Sequence, residues 1–234
     1  SMINYWESEV YSKHKQLNRY PYGELVSVFF NSLKYLKTGR LRILELGCGA
    51  GNNLWFFSEL GHLVYGIDGS ISAVKHSKKT LSLRGLEAEV CHGYFNKLPH
   101  DDDSMDVLID RESLYCGLVK DIESYLLEVA RVLKPGGVFI TFRFSDNDPN
   151  LKLLNIGDIF GRNIEFNTWI DVDSGPFYKT GGVHFSTAAE MLSQHSFLDI
   201  KYFNEHTSKP VANQAQANKS ESSYCEYILV GVNK

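Results

Sequence analysis

A chain of 234 residues, 43% hydrophobic and 13% aromatic, is long enough for one full α/β core. Its net charge of −4 and the lack of any basic block argue against a nucleic-acid partner, because phosphate neutralisation needs clustered Lys and Arg. With no membrane-length apolar run, no signal-peptide pattern and four scattered cysteines (Cys48, Cys91, Cys116, Cys225), the chain is expected to be cytoplasmic, without a disulfide scaffold, zinc site or membrane partner.

Ser1 before Met2 reads as a scar of tag removal and is set aside. Residues 1–40 form a leading segment, and 41–234 the main domain. Tyr5, Trp6, Tyr11, Tyr20, Pro21 and Tyr22 make the start unusually aromatic, followed by a helical stripe from Leu25 to Leu36. The aromatics are read either as core packing or as a lid over a ligand. From Leu41 strand and helix patterns alternate. Strands are expected at 42–46, 63–67, 88–91, 106–110 and 138–144, with helices at 53–60, 72–84 and 122–133. Lys134-Pro135-Gly136-Gly137 stops the last of these helices. Such alternation implies a parallel sheet with right-handed crossovers. Asp101-Asp102-Asp103 reads as a solvated turn; a metal role is the lesser alternative, since adjacent acids cannot all converge on one ion.

Residues 145–183 are rich in Asp, Asn and Gly and are expected to be an insertion with little regular structure. A helix follows at 187–196, with Thr187 and Glu190 as a possible capping box. Strand six is expected at 198–203, a polar loop at 207–222 and a final strand at 224–232. Two strands joined by a loop without a helix pair antiparallel.

Two features carry chemistry. Strand one runs into Gly47-Cys48-Gly49-Ala50-Gly51, a tight turn that opens a helix. The spacing is Gly-x-Gly-x-Gly, not the Gly-x-Gly-x-x-Gly that cradles a dinucleotide pyrophosphate. Strand two ends in Asp68, 17 positions past Gly51. A carboxylate at that strand tip offers two acceptor oxygens to the two hydroxyls of a ribose. Ser70 or Ser72 is expected to cap the next helix, leaving Asp68 for the sugar.

Leu44-Glu45-Leu46-Gly47-Cys48-Gly49-Ala50-Gly51 resembles motif I of class I S-adenosylmethionine methyltransferases. Gly66-Ile67-Asp68 resembles the ribose acid of that superfamily. Leu98 to Val107 is similar to its "LPF-x-D-x-S-F-D-x-V" signature, and Arg131 to Gly137 to its "R-V-L-K-P-G-G" turn. The resemblance covers most of 41–144 and, more weakly, the C-terminal end. It implies a Rossmann-like, three-layer α/β/α fold with a seven-stranded, mostly parallel sheet whose last strand inserts antiparallel. It also implies S-adenosylmethionine as cofactor, bound by Gly47, Cys48, Gly49, Gly51, Asn52, Asp68, Gly69 and Ser70, with Glu45 near the methionine ammonium. Many relatives place an acid after strand three for the adenine amino group. Here the match is Gly93-Tyr94, so adenine is expected on backbone groups of Tyr94 and Phe95 and stacked on apolar side chains.

Asp110-Arg111-Glu112-Ser113-Leu114 resembles the "D-R-x-S/A-L" segment of some small-molecule methyltransferases. Asp110 and Arg111 are expected to orient the substrate or the methionine end of the cofactor, or else to pair and fix the loop. Gly181 to Ser186 resembles a segment of bacterial relatives associated with surface-polysaccharide decoration, which points to a small-molecule or saccharide acceptor.

O- or N-methylation is expected; methyl transfer needs alignment and dryness, and a general base helps when the acceptor is a hydroxyl or a protonated amine. His184 is the first candidate base, with His14 and Tyr115 next; a structural role stands as the alternative for each histidine. No metal spacing is present, so metal-independent chemistry by a monomer or homodimer is expected. Two other readings stay open: an NAD-dependent oxidoreductase on a similar sheet, and a non-catalytic S-adenosylmethionine-binding protein.

Overall fold

The computed structural model describes residues 5–15, 17–178, 180–208 and 223–234. Most of the expected loop at 207–222 therefore lies outside the described residues. Seven strands form the main sheet: β1 (Arg42–Leu46), β2 (Leu63–Asp68), β3 (Glu89–His92), β4 (Met105–Arg111), β5 (Leu133–Phe144), β9 (Leu198–Ser208) and β10 (Tyr224–Asn233). Their spatial order is β3-β2-β1-β4-β5-β10-β9. The strands from β3 to β5 pair parallel. β10 slots between β5 and β9 and pairs antiparallel to both, as expected.

Side-chain alternation divides the core between two faces. Ile43, Val107, Ile109, Ile140, Phe142 and Ile228 face α1 (Gly23–Ser32), α2 (Asn52–Glu59) and α3 (Ile71–Leu83). Leu44, Leu46, Leu108, Phe139 and Leu229 face α4 (Val119–Val132) and α6 (Ala188–Gln194). This is the expected three-layer arrangement. The α3 helix is capped by Ser70, whose hydroxyl accepts from Ala73 N at 3.0 Å. Thr187 and Glu190 form the expected capping box on α6.

The insertion departs from expectation. Residues 145–183 carry a helix, α5 (Pro149–Ile156), and a second sheet of β6 (Arg162–Glu165), β7 (Thr168–Ile170) and β8 (Val183–His184), in that spatial order. Asp148 caps α5 by accepting from Asn150 N at 2.8 Å, and Pro149 opens the helix with its fixed φ. Leu151, Leu154, Val172, Phe177, Val183 and Phe185 pack on Tyr115 and Phe144 as a small core of their own. The polar composition of the stretch hides this, because its apolar residues are few and far apart.

Candidate active site

The turn after β1 is built from amides that are already paired. Gly47 N and Cys48 N donate to Ile67 O, and Gly51 N to Cys48 O. Gly49 N donates to Asp68 Oδ2 at 2.9 Å. Gly47 and Gly49 have φ of +68° and +52°, where an L side chain is strained. A Cβ on Gly47 would overlap Ser113, and one on Gly49 would come within 2.5 Å of the Tyr11 hydroxyl. The turn thus lies directly beneath the leading segment.

Glu45, the penultimate residue of β1, lies on the α2 face and is buried. Its Oε1 accepts from Asn53 Nδ2 at 2.6 Å, while its buried Oε2 has no partner. Burial pushes the Glu45 carboxyl up to about 8, with Asp68 and Asp110 adding repulsion. Asn53 Oδ1 in turn accepts from Tyr22 N at 3.1 Å, so one amide ties Glu45 to the leading segment. At the tip of β2, Asp68 Oδ1 accepts from Ser70 N at 2.8 Å and Oδ2 from Gly49 N. Burial raises this carboxyl and the two amide bonds oppose the rise. Each oxygen keeps a lone pair for a further donor.

A cavity of about 790 Å³ opens between these groups. Glu45, Gly47, Cys48, Gly49, Asn52, Asp68, Gly69, Ser70, Tyr94, Phe95, Arg111 and Tyr115 all line it, as expected from the sequence. Trp6, Tyr11 and Tyr22 close it from the leading segment, whose residues Trp6–Tyr11 form a π-helical turn. Tyr5 packs edge-on against Trp6 and Tyr20 points into solvent; neither reaches the cavity. The segment is fastened by Glu7, a residue the sequence reading passed over. Its carboxylate accepts from Ser70 Oγ at 2.6 Å, Ser72 N at 2.9 Å and Ser72 Oγ at 2.7 Å. Those hydrogen bonds hold the Glu7 carboxyl below the usual range. Pro176, Phe177 and Thr180 bring the insertion to the same cavity.

Four expected site residues sit elsewhere. His184 is fully buried outside the cavity lining. Its Nδ1 meets Thr168 Oγ1 at 2.7 Å and its Nε2 meets Glu190 Oε1 at 2.9 Å, so both ring nitrogens are engaged in joining the insertion to α6. His14 is exposed, with φ of +55°, against His76. Asp110 is fully buried on the α4 face, where it accepts from Ser113 N, Leu114 N and Thr141 Oγ1. Neighbours along a strand point to opposite faces, so Asp110 and Arg111 neither pair nor share a site. Gly51 caps α2 with φ of +83°, and a Cβ there would meet Ser77 of α3. Its role is close helix packing. Of the proposed bases only Tyr115 lines the cavity, and burial pushes its phenol well above the usual value.

Asn53 and Glu112 are among the lining residues that were not expected from the sequence. Asn53 lies two positions past the glycine turn, and the neighbouring amides Asn52-Asn53 opening the helix were its signal. Glu112 is the unspecified position of the D-R-x-S segment, and its signal lies only in the backbone, at φ of +51°. Among the described residues no group of three or more His, Cys, Asp or Glu is placed to hold a metal ion, and no helix is long and apolar enough to cross a membrane.

Comparison with known proteins agrees with this geometry. Residues 44–141 match the family described as "Methyltransferase domain". The chain is 30% identical over 130 residues to phthiotriol/phenolphthiotriol dimycocerosates methyltransferase of Mycobacterium tuberculosis, covering 55% of this chain and 46% of that protein. It is 33% identical over 118 residues to ubiquinone biosynthesis O-methyltransferase of Maricaulis maris, covering 50% and 46%. The chain thus spans about half the length of the curated relatives it matches. In fold it resembles a SAM-dependent methyltransferase of Methanosarcina mazei, with a TM-score of 0.68 at 20% identity over 92% of this chain and 98% of that one.

Proposed function

We propose that this chain, a member of the class I S-adenosylmethionine-dependent methyltransferase superfamily, methylates a hydroxyl of a small molecule with a largely apolar body. The observation that carries the reading is the unpartnered, fully buried Oε2 of Glu45 at the wall of a cavity that also holds Asp68. A buried carboxylate oxygen without a partner is costly, and a cationic N–H donor relieves it.

The residues present fit the cofactor. Glu45 would take the methionine ammonium, and Asp68 the ribose diol through its remaining lone pairs. Tyr94 and Phe95 offer ring surface and backbone for the adenine. The glycine turn lets a ligand approach where a Cβ would intrude. When bound, the cofactor supplies a sulfonium-activated methyl group. The protein aligns the acceptor, and its aromatic walls exclude water. Trp6, Tyr11 and Tyr22 form the lid, and Glu7 is its latch on the start of α3.

The dinucleotide reading fares worse on two counts. The turn's amides at Gly47, Cys48, Gly49 and Gly51 are spent inside the protein and cannot cradle a pyrophosphate. The wall carries Glu45, Asp68 and Glu112 against one cation, Arg111, which is itself ion-paired to Glu112 at 2.5 Å. Such a field favours a cationic ligand over a diphosphate.

An apolar hydroxyl acceptor is favoured by Phe144, Phe177, Tyr115 and Trp6 in the wall, and by the O-methyltransferase named among the relatives. The test is a methyl-transfer assay reading S-adenosylhomocysteine release over a phenol, a catechol, a long-chain fatty acid and simple hexosides, the last covering the saccharide expectation. Turnover of at least one hydroxyl acceptor is expected. Transfer to amines alone would remove the O-methylation reading.

A further inference from the structure

We propose that Glu112 is the proton acceptor for the hydroxyl that receives the methyl group, held in position by Arg111 and backed by Glu226. This rests on the methyltransferase reading above. Once His184 and His14 are placed outside the cavity, no histidine lines it among the described residues. The phenols of Tyr11, Tyr22, Tyr115, Tyr125 and Tyr224 are all pushed up by burial and keep their protons. Three carboxylates remain in the wall. Glu45 is fixed by Asn53, and Asp68 by two backbone amides. Among the described residues Glu112 alone has no such anchor to backbone or amide, and it lines the cavity.

Its setting is built. Glu112 holds φ of +51°, a left-handed backbone that favours glycine, yet the position carries a long charged side chain. Strain of this kind persists where the surroundings over-determine it, and it concentrates at functional sites. Glu112 Oε2 meets Arg111 Nη1 at 2.5 Å. The Arg111 guanidinium lies 4.6 Å from the Tyr22 ring and 4.9 Å from the Phe142 ring, so two aromatic contacts hold it in place. Glu226, buried on β10, meets the same Nη1 at 3.5 Å. Burial, with Glu112 as a neighbouring charge, pushes the Glu226 carboxyl up to about 8. Near neutrality Glu226 therefore holds its proton and sets no second negative charge beside Glu112.

The remaining titratable groups facing Glu112 are Tyr22, Tyr115, Asp148 and Tyr224. In the step, the acceptor O–H proton passes to a Glu112 carboxylate oxygen as the acceptor oxygen bonds to the methyl carbon. The carbon–sulfur bond breaks, its electron pair stays on sulfur, and S-adenosylhomocysteine leaves.

The test uses the full chain with Glu112→Gly and Glu112→Gln, and the hydroxyl acceptor that wild type turns over fastest in the panel. Glycine accepts the left-handed backbone, so Glu112→Gly is expected to keep or raise the Tm. S-adenosylhomocysteine affinity by calorimetry is expected within about threefold of wild type, since Glu112 is not placed on the cofactor. Transfer is expected to fall by about 10²–10⁴-fold in both variants. Added formate is expected to restore part of the rate in Glu112→Gly and to leave wild type unchanged, an effect that a merely structural carboxylate does not produce. Transfer within about threefold of wild type, below the general-base range, overturns the proposal. So does a large loss of Tm or of S-adenosylhomocysteine affinity, and so does a wild type that binds S-adenosylhomocysteine yet methylates no hydroxyl. Failure of wild type to bind S-adenosylhomocysteine overturns the cofactor reading instead.

Discussion

Gly49→Val is expected to abolish S-adenosylhomocysteine binding, with an affinity loss above about 100-fold, or ~2.7 kcal/mol. Two effects add. The backbone at Gly49 has φ of +52°, where a β-branched residue is strained by about 1–3 kcal/mol. A Cβ there also sits 2.5 Å from the Tyr11 hydroxyl and pushes the lid off the turn. The Gly49 N–H that steadies Asp68 moves with it. Calorimetry on variant protein of native circular dichroism checks the loss. Hydrogen exchange reads the lid directly. In wild type, amides of residues 5–15 are expected to slow when S-adenosylhomocysteine is added, and in Gly49→Val to stay fast. Equal protection in both proteins would detach Tyr11 from ligand binding.

Glu45→Gln carries the second large effect. Removing one charge-assisted hydrogen bond in a buried site costs about 1.5–3 kcal/mol, so affinity is expected to fall by about 10–150-fold. The amide keeps the shape and can still accept from Asn53. The pH dependence separates charge from shape. Glu45 titrates near 8 in the free protein because burial favours its neutral form. A bound ammonium favours the charged form and lowers that value. Binding below pH 8 therefore releases a proton, and affinity is expected to rise with pH toward 8 and then level. Calorimetry in buffers of differing ionisation enthalpy measures that proton. In Glu45→Gln the pH slope and the proton release are both expected to vanish. Unchanged slopes would assign the titration to Glu226, which burial raises into the same range.

The sheet was legible in the sequence because its strands are short apolar runs ended by glycine or acid, and these signals are local. Arg42–Leu46 is found as expected, and most other strand and helix bounds lie within about three residues of expectation, the usual margin for pattern reading. The antiparallel β10 was expected from the polar sequence before it, which carries no helical period. The insertion was not legible. Its small core joins Leu151 and Phe177 to Phe144 and Tyr115, contacts that no local period encodes.

The site divides along the same line. Residues on the glycine turn and the β2 tip are fixed by chain geometry, and the structure brings them to one cavity. Gly51 and Asp110 belong to the same motifs but face away, because strand alternation and helix packing decide side-chain direction. His184 looked well placed on chemistry alone, yet Thr168 and Glu190, neither visible as its partner in the sequence, claim both its nitrogens. Glu7 reaches Ser70 and Ser72 across more than sixty positions, and only the folded chain shows those hydrogen bonds.

The most direct test of the account is a calorimetric titration of the wild-type chain at pH 7.5 with S-adenosylhomocysteine and, separately, with NAD⁺. Saturable binding of one S-adenosylhomocysteine per chain and no heat with NAD⁺ are expected, because the turn's amides at Gly47, Cys48, Gly49 and Gly51 are already paired within the protein and the wall is acidic. Saturable NAD⁺ binding without S-adenosylhomocysteine binding would contradict it.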